Sequence, residues 1–350
     1  MAYTTIDKPT DYFNTVLWTG NGSTQSITGV GFQPDWVWIK RRDGSAFHVV
    51  PDSVRGATKQ IYPNDNQAEG TRAQGLQSFD SDGYTLGNEG DTNGSSQTYV
   101  GWNWLAGGTA PSQTYTVKVV SDSGNKYRFD DFGTSAVTLD LQEGGTYTFD
   151  QSDSSNSGHP LRFSTTSDGT HGSGTEYTTG VTTTGTPGSA GAKTVITVGS
   201  SVATLYYYCS VHSGMGGQAN TNSTFGSSNF SGSIQANVSA NTDAGFSIVS
   251  YTGNGTAGAT IGHGLGVVPK VVIIKNLSAS YRWVVGHNSL TSWDYYLSLN
   301  ENSAQTNGNN TFNDTAPSST VVTLGNNTGV NTNGSNYIAY CFAEKKGYSK

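Results

Sequence analysis

The chain has 350 residues, 25 acidic and 18 basic side chains, a net charge of −7, 46 glycines and a hydrophobic share of 33%. That length predicts two or three domains, and a charged share of only 12% argues against a solvated disordered polyelectrolyte. The acidic balance offers no basic field for nucleic acid, no apolar run approaches the roughly 18 residues of a membrane span, and the N-terminus lacks the charged and apolar regions of a signal peptide.

Regularly spaced Tyr, Phe, Trp, Val and Ile between polar turns predict many short strands. No long segment combines helical periodicity with both cap signals, so the expected fold is all-β. The chain also repeats itself. Trp18-Thr-Gly-Asn-Gly22 returns as Tyr251-Thr-Gly-Asn-Gly255, and Pro34 and Lys40 return as Pro269 and Lys275. Tyr84-Thr-Leu-Gly-Asn88 matches Val322-Thr-Leu-Gly-Asn326, and Thr92-Asn-Gly-Ser95 matches Thr332-Asn-Gly-Ser335. The expected organisation is three tandem β-sandwich domains: a first copy over residues 1–110, a different unit over 113–220, a linker over 221–245 and a second copy over 246–350.

In the first copy, Trp36-Val-Trp-Ile39 is a continuous apolar run, as is Val271-Val-Ile-Ile274 in the second. Such runs read as central strands buried on both faces. Trp36 with Trp38, and Trp102 with Trp104, fall two apart and so share a strand face. That face is either core or interface, or else a platform on which sugar rings stack. In the middle unit strands are expected at 115–120, 136–141, 146–150, 161–163, 194–198 and 205–209, a number that fits a two-sheet sandwich. The polar run 164–192 reads as an extended loop with room for one hairpin.

The sharpest chemical signal is Tyr208-Cys-Ser-Val-His-Ser-Gly-Met215. The chain has two cysteines, and Met215 is its only methionine after the initiator. A thiolate, an imidazole and a thioether in one short loop form the ligand set that copper prefers. The plainer reading is a buried thiol and a gap-filling Met before a glycine turn. Cys209 and Cys341 lie in separate expected domains, and cytosolic synthesis would keep both reduced.

The middle unit resembles a cupredoxin over about 100 residues. The resemblance implies a copper site made of His159 from Gly158-His-Pro160 after the strand Thr146-Tyr-Thr-Phe-Asp150, with Cys209, His212 and an axial Met215. The spacing between His212 and Met215 is shorter than in most type 1 sites. It is similar to that of binuclear copper centres, whose second cysteine is missing here.

Other candidates read more simply. Asp80-Ser-Asp-Gly83 begins like a calcium loop but lacks the distal ligands, so a turn is expected. His48, Asp52 and Ser53 have no nucleophile elbow around them. His263 and His287 are expected in turns or at the surface, and Asp130-Asp131 in a solvated loop.

The order of motifs resembles a family of structural proteins of tailed bacteriophages, especially those of marine bacteria. The residues that carry it are Tyr3-Thr-Thr-Ile-Asp-Lys-Pro-Thr-Asp-Tyr-Phe13, Gln33-Pro-Asp-Trp-Val-Trp-Ile-Lys-Arg-Arg42, Asp52-Ser-Val-Arg-Gly-Ala-Thr-Lys59, Ser78-Phe-Asp-Ser-Asp-Gly-Tyr84, Gly245-Phe-Ser-Ile-Val-Ser-Tyr-Thr-Gly-Asn-Gly-Thr256 and Tyr337-Ile-Ala-Tyr-Cys-Phe-Ala-Glu344. It implies a non-enzymatic virion component, either a tail fibre or other appendage or a capsid decoration, assembled in the host cytoplasm. Its partners would be other virion proteins, further copies of itself (three in a fibre) and host surface glycans. Two alternatives stand beside it: a copper protein that transfers electrons, and a carbohydrate-binding module.

Overall fold

A computed structural model describes residues 6–222 and 225–349; residues 1–5, which include the start of the opening motif, lie outside it. Regular structure is almost entirely β, with a single α-helical turn at Gly90–Asn93 and three short 3-10 turns among the described residues. No described helix is long and apolar enough to cross a membrane. The chain divides into two compact units: residues up to 108 together with those from 234 onward, and residues 109–233. The two copies expected as separate tandem domains therefore share one unit.

Within that unit the copies have matching sheets. Copy one carries Phe13–Thr19, Thr98–Trp104 and Trp36–Arg41 side by side, with Thr98–Trp104 central. Copy two carries Phe246–Thr252, Asn336–Ala343 and Pro269–Asn276 in the same order, again antiparallel. A smaller sheet covers each: Gln25–Thr28, Gly83–Leu86 and Leu76–Asp80 in copy one, Ala259–Gly262 and Val321–Leu324 in copy two. Val37, Ile39, Ile27 and Leu86 fill the first sandwich, and Val272, Ile274, Ile261 and Leu324 fill the second.

The apolar runs are explained by what covers their outer faces. Successive strand side chains point to opposite sides. Val37 and Ile39 face their own sandwich, while Trp36 and Trp38 join a cluster with Phe246, Ile248, Ile338 and Tyr340 of copy two. Trp36 is 2% exposed, with its ring 4.6 Å from that of Tyr340 and 4.5 Å from that of Trp104. Truncating a residue so enclosed costs about 3–5 kcal/mol. The Trp36 ring is thus covered by the other copy, while Trp38, Trp102 and Trp104 stay partly exposed. Polar bonds pin the same contact: the Tyr340 hydroxyl donates to Asp52 at 2.6 Å, and the Trp283 indole N–H donates to the Tyr62 carbonyl at 2.8 Å.

Each copy also ties its turns with one buried asparagine. Asn93 donates to the carbonyls of Ser23 and Gly87 and accepts from the Asn21 N–H. Asn331 donates to the carbonyls of Thr256 and Gly325 and accepts from the Asn254 N–H. Beside them the Tyr99 hydroxyl bonds Gly94 N–H and Gly90 carbonyl, and the Tyr337 hydroxyl bonds Thr332 N–H and Thr328 carbonyl. The counterpart of Asn93 is thus Asn331, two residues before the Asn333 that aligning the Thr-Asn-Gly-Ser strings selects.

The other unit is a sandwich of two five-stranded sheets. One runs Asn125–Phe129, Ser112–Ser121, Thr146–Asp150, Lys193–Thr197, Val181–Thr184; the other runs Leu139–Gln142, Gly217–Asn222, Leu205–Cys209, Leu161–Ser164, Glu176–Tyr177. Tyr115, Phe129, Tyr147 and Phe149 from the first pack against Leu141, Phe163, Leu205 and Tyr207 from the second. The run 164–192 is not a single loop. It supplies an edge strand to each sheet and a 3-10 turn, Gly169–Gly172, on the way. Thr-rich Val181–Thr184 lies mostly in solvent, so no apolar alternation marked it.

The stretch 221–245 is ordered where it is described. Phe230 is 4% exposed and stacks at 6.0 Å on Phe129 in the sandwich core, while Ala236–Asn241 pairs with Phe246–Thr252. One buried ring anchors a segment that its polar composition disguised as a linker.

Candidate metal centre

Strand register brings the candidate ligands together. Leu161 pairs with Cys209, the last residue of Leu205–Cys209, and the Ser210 N–H donates to the Pro160 carbonyl at 3.1 Å. His159, two residues before Leu161, therefore lies beside Cys209 and the loop that follows it. Gly158 turns the chain at φ 77°, a conformation that L side chains rarely adopt. The His159 carbonyl accepts from the Tyr127 hydroxyl at 2.9 Å and from Gln151 Nε2 at 2.8 Å.

The Cys209 thiol lies 3.9 Å from His159 Nδ1 and 3.7 Å from His212 Nδ1, and the two rings are 4.6 Å apart. All three donor atoms fall within 4.8 Å of one another. Bond lengths of about 2.3 Å to sulfur and about 2.0 Å to nitrogen would separate a thiolate and an imidazole nitrogen on one ion by roughly 3.5–3.7 Å. The three residues fit a single ion with little movement. Cys209 is buried, His159 half-buried and His212 exposed. Burial, and then the neighbouring His212, hold His159 below the ordinary imidazole value, which favours the neutral ligand form. Met215 is 1% exposed in the same core cluster as Cys209, and its carbonyl accepts from the Tyr127 N–H at 3.0 Å.

Two nitrogens and a thiolate are a donor set for copper, which would supply one-electron redox chemistry at this end of the sandwich. His159, Cys209 and His212 would hold it. Tyr127 was missed by sequence reasoning. Burial, then the adjacent Cys209 thiol, push its phenol well above the ordinary value. A tyrosine in a core strand gives no sequence signal of a site.

The remaining candidates are placed elsewhere. His48 Nδ1 accepts from the Trp38 indole, Asp52 pairs with Arg55, and Ser53 donates to Asp35, so these three form no triad. Asp80 accepts from Ser78 and Thr85, and Asp82 from the Gly29 and Gly31 N–H groups, which makes a braced hairpin. Asp130 accepts from the Thr116 N–H and Asp131 pairs with Lys118, both at positive φ in a turn. His287 accepts from the Ser289 N–H in a turn. His263, expected in a turn or at the surface, is instead fully buried and bonded to Ser318 and Leu265. Both cysteines are free thiols, and burial pushes Cys341 up to about 12.

The fold and this cluster define an all-β protein with a compact two-copy unit and a sandwich carrying a His-Cys-His group. The chain belongs to the family described as Domain of unknown function (DUF7483), whose model matches residues 8–128 and 218–350. His159, Cys209, His212 and Met215 all lie between the two matched stretches. No curated protein and no solved structure matches the chain.

Proposed function

We propose that this chain is a non-enzymatic structural component of a bacteriophage virion, an appendage or a capsid decoration, with assembly as its task and contact with a host surface as a further role. The observation that carries this reading is the two-copy unit: two sandwiches of one design joined through a continuous aromatic wall, Trp36, Trp104, Phe246, Tyr340 and Phe342, and a buried Asp52–Arg55–Tyr340 network. Such a joint suits a building block that must stay folded outside a cell. It agrees with the motif order, which resembles that of tailed-phage structural proteins. Few sulfur residues, two Cys and two Met, and few Lys and Arg point the same way, since they limit oxidation and proteolysis. Gold labelling of purified particles with an antibody to this chain should decorate tail or head. Label on neither overturns the proposal.

A second reading concerns the middle unit alone, favoured by the convergence of one thiol and two Nδ1 atoms. It holds one copper ion through His159, Cys209 and His212. Copper added to the reduced protein and then oxidised should give an intense visible thiolate-to-copper band, abolished by Cys209→Ser. A colourless product in the unaltered protein removes this reading.

A further inference from the structure

The loop bearing His212 is held from outside by one short segment. Asp168 accepts from the Gly214 N–H at 2.9 Å and from the Ser213 hydroxyl. Three residues on, His171 Nε2 donates to the Cys209 carbonyl at 3.0 Å. Between them Gly169 lies flat against Tyr208: a Cβ there would come within 2.4–2.5 Å of the Tyr208 ring atoms. Lys126 Nζ donates to the Gly214 carbonyl. Both backbone groups of Gly214, two residues beyond His212, are thus fixed.

The segment itself is under conformational strain. Asp168 and Ser173 flank the 3-10 turn at φ 58° and 66°. Left-handed non-glycine residues cost free energy and persist where their surroundings over-determine them. For Asp168 those surroundings include the ligand loop, through Ser213 and Gly214.

We propose that the strap Asp168–Gly172, acting through Asp168 and His171, preorganises the metal centre, holding Cys209 and His212 in ligating positions before an ion arrives. This rests on the metal-binding reading of the same site. Asp168 and His171 are positioning residues, not ligands. Partners of this kind fix ligand orientation, and their loss weakens metal binding by about 10- to 100-fold.

The test uses the full chain and cobalt(II), whose thiolate charge-transfer and ligand-field bands report donors and geometry without oxidising the thiol. Asp168→Ala should weaken cobalt binding by about 10- to 100-fold and shift the bands. Asp168→Asn keeps an acceptor for the Gly214 N–H and should restore affinity to within a few-fold. Ser213→Ala, which removes one exposed hydroxyl and leaves the core intact, should lie between them and covers the case in which Asp168→Ala does not fold. Unchanged affinity and bands in Asp168→Ala, or in Ser213→Ala if the former is unfolded, overturn the strap while the metal site stands. Absence of thiolate bands from the unaltered protein with both cobalt and copper overturns the metal reading and the strap together.

Discussion

Asp35 shows how one residue can set the pH response of the two-copy unit. It is fully buried and accepts from the Ser53 hydroxyl at 2.9 Å and from the N–H groups of Ala106 and Gly108 at 2.7 and 3.1 Å. Burial nevertheless wins over those bonds and pushes the carboxyl from its ordinary 3.8 up to about 6. The folded state then binds this proton more readily than the unfolded chain. Its stabilisation is present below pH 3.8 and is lost as pH climbs to about 6. The difference of 2.2 units (6 − 3.8) corresponds to roughly 3 kcal/mol at 1.36 kcal/mol per unit. All seven tryptophans lie in this unit, so tryptophan fluorescence follows its unfolding alone. In urea, the stability of the unaltered protein relative to Asp35→Asn should rise by most of that amount, about 2 kcal/mol, between pH 7 and pH 4; parallel pH profiles would contradict it.

At the scale of elements, the paired turn clasps are the clearest case of one design used twice. Asn93 and Asn331 each satisfy carbonyls that no ladder reaches, and each is fully buried. Asn331→Ala leaves the Thr256 and Gly325 carbonyls without their side-chain donor, and Asn93→Ala does the same to Ser23 and Gly87. Each should cost about 2–4 kcal/mol, measurable as a lower urea midpoint by tryptophan fluorescence. A loss in one copy but not the other would break the equivalence. Such elements were legible to differing degrees. Thr146–Asp150 and Leu205–Cys209 fall where alternation and aromatic content put them. Asn125–Phe129 was legible but missed, since Tyr127 and Phe129 alternate with Lys126 and Arg128; the two-residue Glu176–Tyr177 was not legible, because only its partner strand sets it. Cys209 and His212 announced themselves by rarity and spacing. Tyr127, Asp168 and His171 are ordinary residues brought to the site only by tertiary register.

For the whole molecule, duplication and fusion explain why the aromatic strands are apolar on both faces. The sheet of each copy is a sandwich layer on one side and a joint on the other. As proposed here, the chain is building material, and the sandwich of residues 109–233 is a second unit whose His159, Cys209 and His212 could hold a metal ion. The most direct measurement is quantitative mass spectrometry of gradient-purified, nuclease-treated phage particles. The chain should co-band with the particles at a fixed copy number relative to the major capsid protein. Its recovery only in the soluble fraction of the lysate would contradict the account.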